Sequence, residues 1–129
     1  MNSYKLSFAE VTIVTPFIAE INIDNGIEVN VNHVEEYHSF LRSHFDTSFG
    51  VLVNQKNSYS YDFLAQVKIN TLKEIRAIAI ITYNQFSAMT SKSLISLPRK
   101  CQWNAQIFFN YSIGLNWLTN EINSENNIL

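Results

Sequence analysis

Two apolar runs constrain this chain more than anything else in it: Phe49-Gly50-Val51-Leu52-Val53 and Ile75-Arg76-Ala77-Ile78-Ala79-Ile80-Ile81-Thr82. Neither alternates apolar with polar residues, so both read as strands covered on two faces rather than one. Between them Phe63, Leu64, Val67 and Leu72 fall at helical spacing, which predicts a helix over Tyr61 to Leu72 that begins near Ser60 or Asp62. Strand, helix, strand at this spacing predicts a right-handed crossover between parallel strands, with Ile75 to Thr82 at the centre of the sheet.

The alternation continues in both directions. Downstream, Asn84 to Leu97 predicts a weaker helix, rich in Ser and Thr that compete for backbone hydrogen bonds and closed by Pro98. Ala105 to Phe109 predicts the last strand, and Ser112 the cap of a final helix carrying Ile113, Leu115, Trp117, Leu118 and Ile122. Upstream, Asn32 followed by Glu35 predicts a helix start, and Val34, Tyr37, Leu41 and Phe45 give that helix, His33 to Phe45, one buried face. From Leu6 to Ile23 the period is two, broken near Pro16, so this stretch predicts a meander of short antiparallel strands. Asp24-Asn25-Gly26 supplies a turn after it, and Ile27 to Val29 briefly extends again. The expected class is α/β: a mixed sheet with an N-terminal antiparallel strand meander followed by alternating helices and parallel strands. Residues 1–122 are expected to form one domain, with 123–129 a frayed tail.

Composition narrows the function classes. At 129 residues, 47% of them apolar, the chain can bury one sizeable core. The nine Lys and Arg are scattered, the net charge is −2, and no basic stripe exists, so nucleic acid is not an expected partner. Cys101 is the single cysteine, which excludes an internal disulfide and a multi-thiolate metal site and fits a reducing compartment; beside Trp103 it reads as a packed residue. The N-terminal residues lack the pattern of a secretory signal, and the longest apolar run, Ala77 to Ile81, is far short of the roughly 20 residues of a membrane span. A cytoplasmic protein without membrane insertion is expected.

No motif supplies catalysis. On a helix His33 and His38 point about 140° apart and His44 lies about 16 Å from His33, so the three histidines cannot share an ion. With only Gly26, Gly50 and Gly114 there is no phosphate-cradling glycine loop and no Gly-x-Ser-x-Gly elbow. No catalytic residue, metal or cofactor is expected.

The richest stretch is Asn54 to Asp62, joining a buried strand to a helix. Loops at the carboxyl ends of strands collect ligands in open α/β sheets. Asn54, Lys56, Ser58, Tyr59, Ser60 and Tyr61 are therefore candidates for a contact loop, with Ser58 or Ser60 a candidate phosphoacceptor and an anion a candidate occupant. Turn formation and helix capping explain the same residues. Tyr83, Asn84 and Asn110 end the next strands and are candidates for a ligand rim shared with Asn54, although helix capping accounts for Asn84 equally well.

The meander, the Phe49 to Asn54 strand, the Ile78-Ala79-Ile80-Ile81 strand and the ending Ile107-Phe108 with Leu115-Asn116-Trp117-Leu118 together resemble the SpoIIAA-like group of the STAS superfamily. The resemblance spans nearly the whole chain as a pattern of hydrophobics. It implies a non-enzymatic regulatory or protein-interaction module, with a protein partner and a homodimer as expected associations. In the anti-sigma-factor antagonists of that superfamily the strand-to-helix loop carries Asp-Ser-Ser-Gly with a phosphorylated serine. Here the stretch reads Lys56-Asn57-Ser58-Tyr59-Ser60-Tyr61, with no Asp before the serines and no Gly after them. The alternative expectation is a small-ligand or lipid-binding domain, which requires a cavity of a few hundred Å³ between the strand ends and the second and third helices.

Overall fold

A computed structural model describes residues 2–98 and 103–126. Cys101 lies outside them. Three strands open the chain as an antiparallel meander, the first of them ahead of the expected Leu6–Ile23 stretch: β1 (Asn2–Lys5), β2 (Ala9–Thr15) and β3 (Ile18–Ile23), paired in turn. Leu6 and Phe8 belong to the first turn rather than to a strand; the Leu6 N–H closes that turn on the Ala9 carbonyl at 2.8 Å, and the Phe8 ring is buried. After the short β4 (Glu28–Val29) the chain alternates: α1 (Val31–His44), β5 (Phe49–Asn54), β6 (Ser60–Tyr61), α2 (Phe63–Lys68), β7 (Ile75–Ile81), α3 (Gln85–Ile95), β8 (Ala105–Phe108) and α4 (Tyr111–Asn126).

The main sheet runs β1-β2-β3-β5-β7-β8, with β3, β5, β7 and β8 mutually parallel; β4 and β6 form a separate two-stranded ribbon. The fold is α/β with a mixed sheet, as the alternation predicts. Because the three crossovers step the same way across the sheet, their common hand brings α1, α2 and α3 to one face. There Val34, Tyr37 and Leu41 of α1 and Ala65 of α2 meet Ile21, Val51, Val53, Ile78 and Ile80 in the larger core. Among the described residues only α4 covers the other face, where Leu118 packs on Ile18, Leu52, Ala77, Ala79 and Ile81. It lies close because Gly50 and Gly114 lack side chains: a Cβ on Gly50 would come within 2.8 Å of Leu118, and one on Gly114 would run into Ile81.

Two helix starts and the length of α2 differ from the expectation, each for a local reason. Asn30, not Asn32, caps α1: its Oδ1 accepts from the His33 N–H at 3.0 Å while His33 Nδ1 accepts from the Asn30 N–H at 3.1 Å, so histidine fills the position expected of Glu35. α2 is far shorter than Tyr61 to Leu72. Pairing of β6 with β4 draws Ser60 and Tyr61 into extended backbone, Asp62 caps the helix, and Asn70, at φ 57°, lies in the left-handed region just past its end. Phe63 and Leu64 consequently face solvent and Ala65 and Ile69 are buried in their place, while Leu72 is buried as expected but beyond the end of the helix. α4 begins one residue before the expected cap, Ser112, because Asn110 Oδ1 accepts from the Ile113 N–H at 3.0 Å. The same helix continues past Asn123 to Asn126; residues 127–129 lie outside those described. No helix among the described residues is long and apolar enough to cross a membrane.

Candidate functional site

The Asn54–Asp62 loop is held against the turn that follows β3. Gly26 N–H donates to the Ser58 carbonyl at 2.7 Å, Ser58 N–H to Asn25 Oδ1 at 3.0 Å, and Asn57 Nδ2 to the Ile23 carbonyl at 2.9 Å. Gly26 can serve because its φ of 80° suits glycine. The β4–β6 pairing then carries the chain to Asp62, whose carboxylate accepts from the Ala65 N–H at 2.9 Å. The loop is therefore a tethered wall rather than a free strap.

Facing this wall across an open cleft of about 520 Å³ is α3. Gln55, Ser58, Tyr59, Ser60 and Tyr61 line the loop side, Gln66 contributes from α2, and Phe86, Ser87, Thr90, Ser91, Ser93 and Leu94 line the helix side. The volume lies within the roughly 300–1,000 Å³ of small-molecule sites. Gln55 and Ser91 join the two sides: the Gln55 amide donates to Ser91 Oγ at 2.9 Å, and Ser91 Oγ lies 3.1 Å from Gln55 Oε1. The Tyr59 and Tyr61 rings meet edge to face at 5.7 Å. Burial pushes the Tyr59 hydroxyl up to about 12; Tyr61 and Gln55 lie near enough to ease that rise, yet neither reaches hydrogen-bonding geometry with it. Burial likewise raises the Tyr61 hydroxyl, so both phenols stay protonated. Among the described residues none that lines the cleft carries a charge.

Of the remaining candidate residues, Lys56 is exposed beside the cleft without lining it. Asn54 and Tyr83 do meet: the Tyr83 hydroxyl donates to Asn54 Oδ1 at 2.6 Å. Their meeting place is the α4 face of the sheet, not the cleft, because Asn54 alternates with Val53 along β5. Asn84 and Asn110 are caps, Asn84 Oδ1 accepting from the Ser87 N–H at 2.8 Å, so neither joins Asn54 in a rim.

Tyr83 and Asn54 belong instead to a polar cluster around Glu20, a carboxylate almost fully buried in β3. Its Oε2 accepts from Asn22 Nδ2 and Asn54 Nδ2, both at 2.9 Å, and its Oε1 from the Tyr111 hydroxyl at 2.6 Å. Burial, the hydrogen bond to Glu20 and the Glu20 charge raise the Tyr111 hydroxyl; burial and the same charge raise Tyr83, against its bond to Asn54. With three donors on one carboxylate the cluster is satisfied and pins the start of α4 to the sheet. Among the described residues no group of three or more His, Cys, Asp or Glu side chains could hold a metal ion.

Glu20 and the individual side chains of the α3 wall were not singled out from the sequence, although the third helix was expected to border a pocket. For Glu20 a signal existed: Glu20 and Asn22 share one face of a strand whose other face reads Ala19, Ile21, Ile23. For α3 there was none, since its Ser and Thr residues look like ordinary solvated helix surface. Comparison with protein-family models, with curated proteins and with solved structures gives no match, so what this chain does has to be argued from the cleft and its neighbours.

Proposed function

We propose that this chain is a non-enzymatic module that binds a small uncharged molecule in the cleft between the Asn54–Asp62 loop and α3. The observation that carries the reading is the cleft itself: about 520 Å³, at the carboxyl ends of β5 and β7, walled by amides, hydroxyls and aromatic rings. A catalytic site needs groups that exchange protons or attack, and among the described residues the lining offers hydroxyls and amides but no carboxylate, imidazole, amine or thiol to activate them. The single cysteine fits a reducing compartment, so we place the module in the cytoplasm. A screen of uncharged fragments by protein-observed NMR tests this. Hits should move Ser58–Tyr61 and Phe86–Leu94, and Thr90→Trp, at an exposed position that projects bulk into the cleft, should abolish them without lowering the melting temperature. A library that leaves those resonances still, or binding that survives Thr90→Trp, would refute it.

A second reading, a STAS-type regulatory module that docks a protein, is favoured by the apolar residues on the helices bordering the cleft. Phe63 and Leu64 of α2 and Phe86 and Met89 of α3 are all exposed, Phe86 to 80%. A second copy of the chain is the simplest partner. Light scattering at rising concentration, with Phe86→Ser and Met89→Ser as controls, should then show a dimer that the double variant loses; a monomer throughout would count against self-association.

A further inference from the structure

We infer that the ligand class of the cleft is a neutral sugar: a polyhydroxylated ring that stacks on an aromatic face and exchanges hydrogen bonds with side-chain hydroxyls. The inference rests on the small-ligand reading above and narrows it through three features of the lining.

The first is charge. Among the described residues every one that lines the cleft is uncharged, although the flanking chain carries Lys56, Asp62 and Lys92. A phosphate, carboxylate or ammonium would give up water there with no opposite charge to meet it, which is costly. The second is the kind of polar group. The hydroxyls of Ser58, Ser60, Ser87 and Ser93 face solvent at the cleft and bond no other described residue, while Thr90 bonds the Phe86 carbonyl at 3.0 Å. A hydroxyl both donates and accepts. Four unengaged ones around one cleft match a ligand that also does both at many points along its edge, as a sugar does and a purely accepting ketone or ester does not. The buried Tyr59 hydroxyl, without a partner at bonding geometry, adds a fifth group behind the wall.

The third feature is the ring at the mouth. Phe86 is 80% exposed on the first turn of α3, an expensive position for a phenyl group unless something covers it. The face of an aromatic ring is electron-rich and attracts positively polarised hydrogens, which the C–H face of a pyranose presents. A long acyl chain would cover Phe86 as well, but it would also strip water from the serine hydroxyls and return no hydrogen bond.

Titration of the intact chain with glucose, galactose, maltose and cellobiose, followed by amide NMR, tests the inference. Glucuronic acid, glucose 6-phosphate and decanol serve as comparison probes. At least one neutral sugar should saturably shift Ser58–Tyr61 and Phe86–Leu94, and its charged counterpart should bind about tenfold more weakly or worse. Phe86→Ala, at a position too exposed to threaten folding, should weaken the sugar by about tenfold or more. Equal or tighter binding of the charged sugars would overturn the assignment. Saturation of the same resonances by decanol or by uncharged fragments, with no sugar bound, would overturn the sugar class and leave the small-ligand reading standing. Silence from every probe would remove both.

Discussion

Acidification should destabilise this protein through His38. The side chain sits on α1 against the turn after α2, where its Nε2 accepts the Asn70 backbone N–H at 3.1 Å. Only a neutral imidazole with a bare Nε2 can accept that bond. Asn70 cannot easily move to relieve the loss, because it is buried in the left-handed region and its Oδ1 takes the Tyr37 hydroxyl at 2.6 Å. Burial, and then the nearby Arg42 charge, lowers the His38 pKa from its ordinary 6.5 to about 4, against the opposing pull of Glu74. The folded value lies below the unfolded one. Between the two, the unfolded chain therefore holds a proton that the folded chain refuses, and stability falls as pH falls. Above the ordinary value both states are neutral and nothing is lost; below about 4 both are charged and the loss levels off. At about 1.4 kcal/mol per pH unit across that window the ceiling is about 3 kcal/mol, and water at the half-buried ring trims the working figure to about 2 kcal/mol. Urea unfolding of the wild type and of His38→Gln, whose amide oxygen can replace Nε2 as acceptor, isolates this contribution. Carboxylates such as Glu74, held low by the Arg42 guanidinium, titrate in both proteins and cancel. Between about pH 7 and about pH 4.5 the wild type should lose about 2 kcal/mol more than the variant. Parallel pH profiles, or an imidazole titrating near its ordinary value in the folded protein, would refute the reasoning.

The close approach of α4 to the sheet predicts that Gly114→Ala, which drives a methyl group into Ile81, costs about 1–3 kcal/mol by chemical denaturation; an unchanged midpoint would show that α4 shifts freely. Tyr111→Phe removes the hydroxyl donor to the buried Glu20 carboxylate and should cost about 1.5–3 kcal/mol, with added hydrogen exchange in the first turns of α4 rather than in α1. Asn30→Ala, which breaks the reciprocal cap with His33, should cost about 1 kcal/mol in thermal unfolding, whereas Asn32→Ala, at the exposed position that pattern alone favoured, should be nearly neutral.

The parallel half of the sheet was legible because burial on two faces leaves a mark that no surface helix copies: Phe49–Val53 and Ile75–Ile81 are strands over almost their full predicted lengths. α2 was not legible for the opposite reason. Phe63, Leu64, Val67 and Leu72 satisfy a helical period, but Ser60 and Tyr61 gain more from pairing with Glu28 and Val29, a partner more than thirty residues away that local periodicity cannot register. The same pairing rotates Phe63 and Leu64 outward. The Asn54–Asp62 loop stood out as a candidate from its place at a strand end, and it lines one side of the cleft. The third helix was expected to border a pocket, but which of its residues face the loop was not legible, because that depends on how far α3 stands from the loop, and no residue type encodes that distance. Of the four residues grouped as a ligand rim, Asn54 and Tyr83 share a hydrogen bond while Asn84 and Asn110 cap their own helices, since an asparagine at a strand end can turn either toward a neighbour or back onto its own helix.

The strand order β1-β2-β3-β5-β7-β8 is also the order of synthesis. Each main-sheet strand after the first docks on the edge left by its predecessor, so none has to be threaded between two already in place. The sheet can therefore be completed by accretion at one growing margin, with α1, α2 and α3 laid down along the same side as it widens. The opposite face has no cover until the final segment emerges, and its apolar surface of Leu52, Ala79 and Ile81 waits for α4. The Glu20–Tyr111 bond then closes the molecule by tying the first helical residue of the last element to a strand made near the beginning.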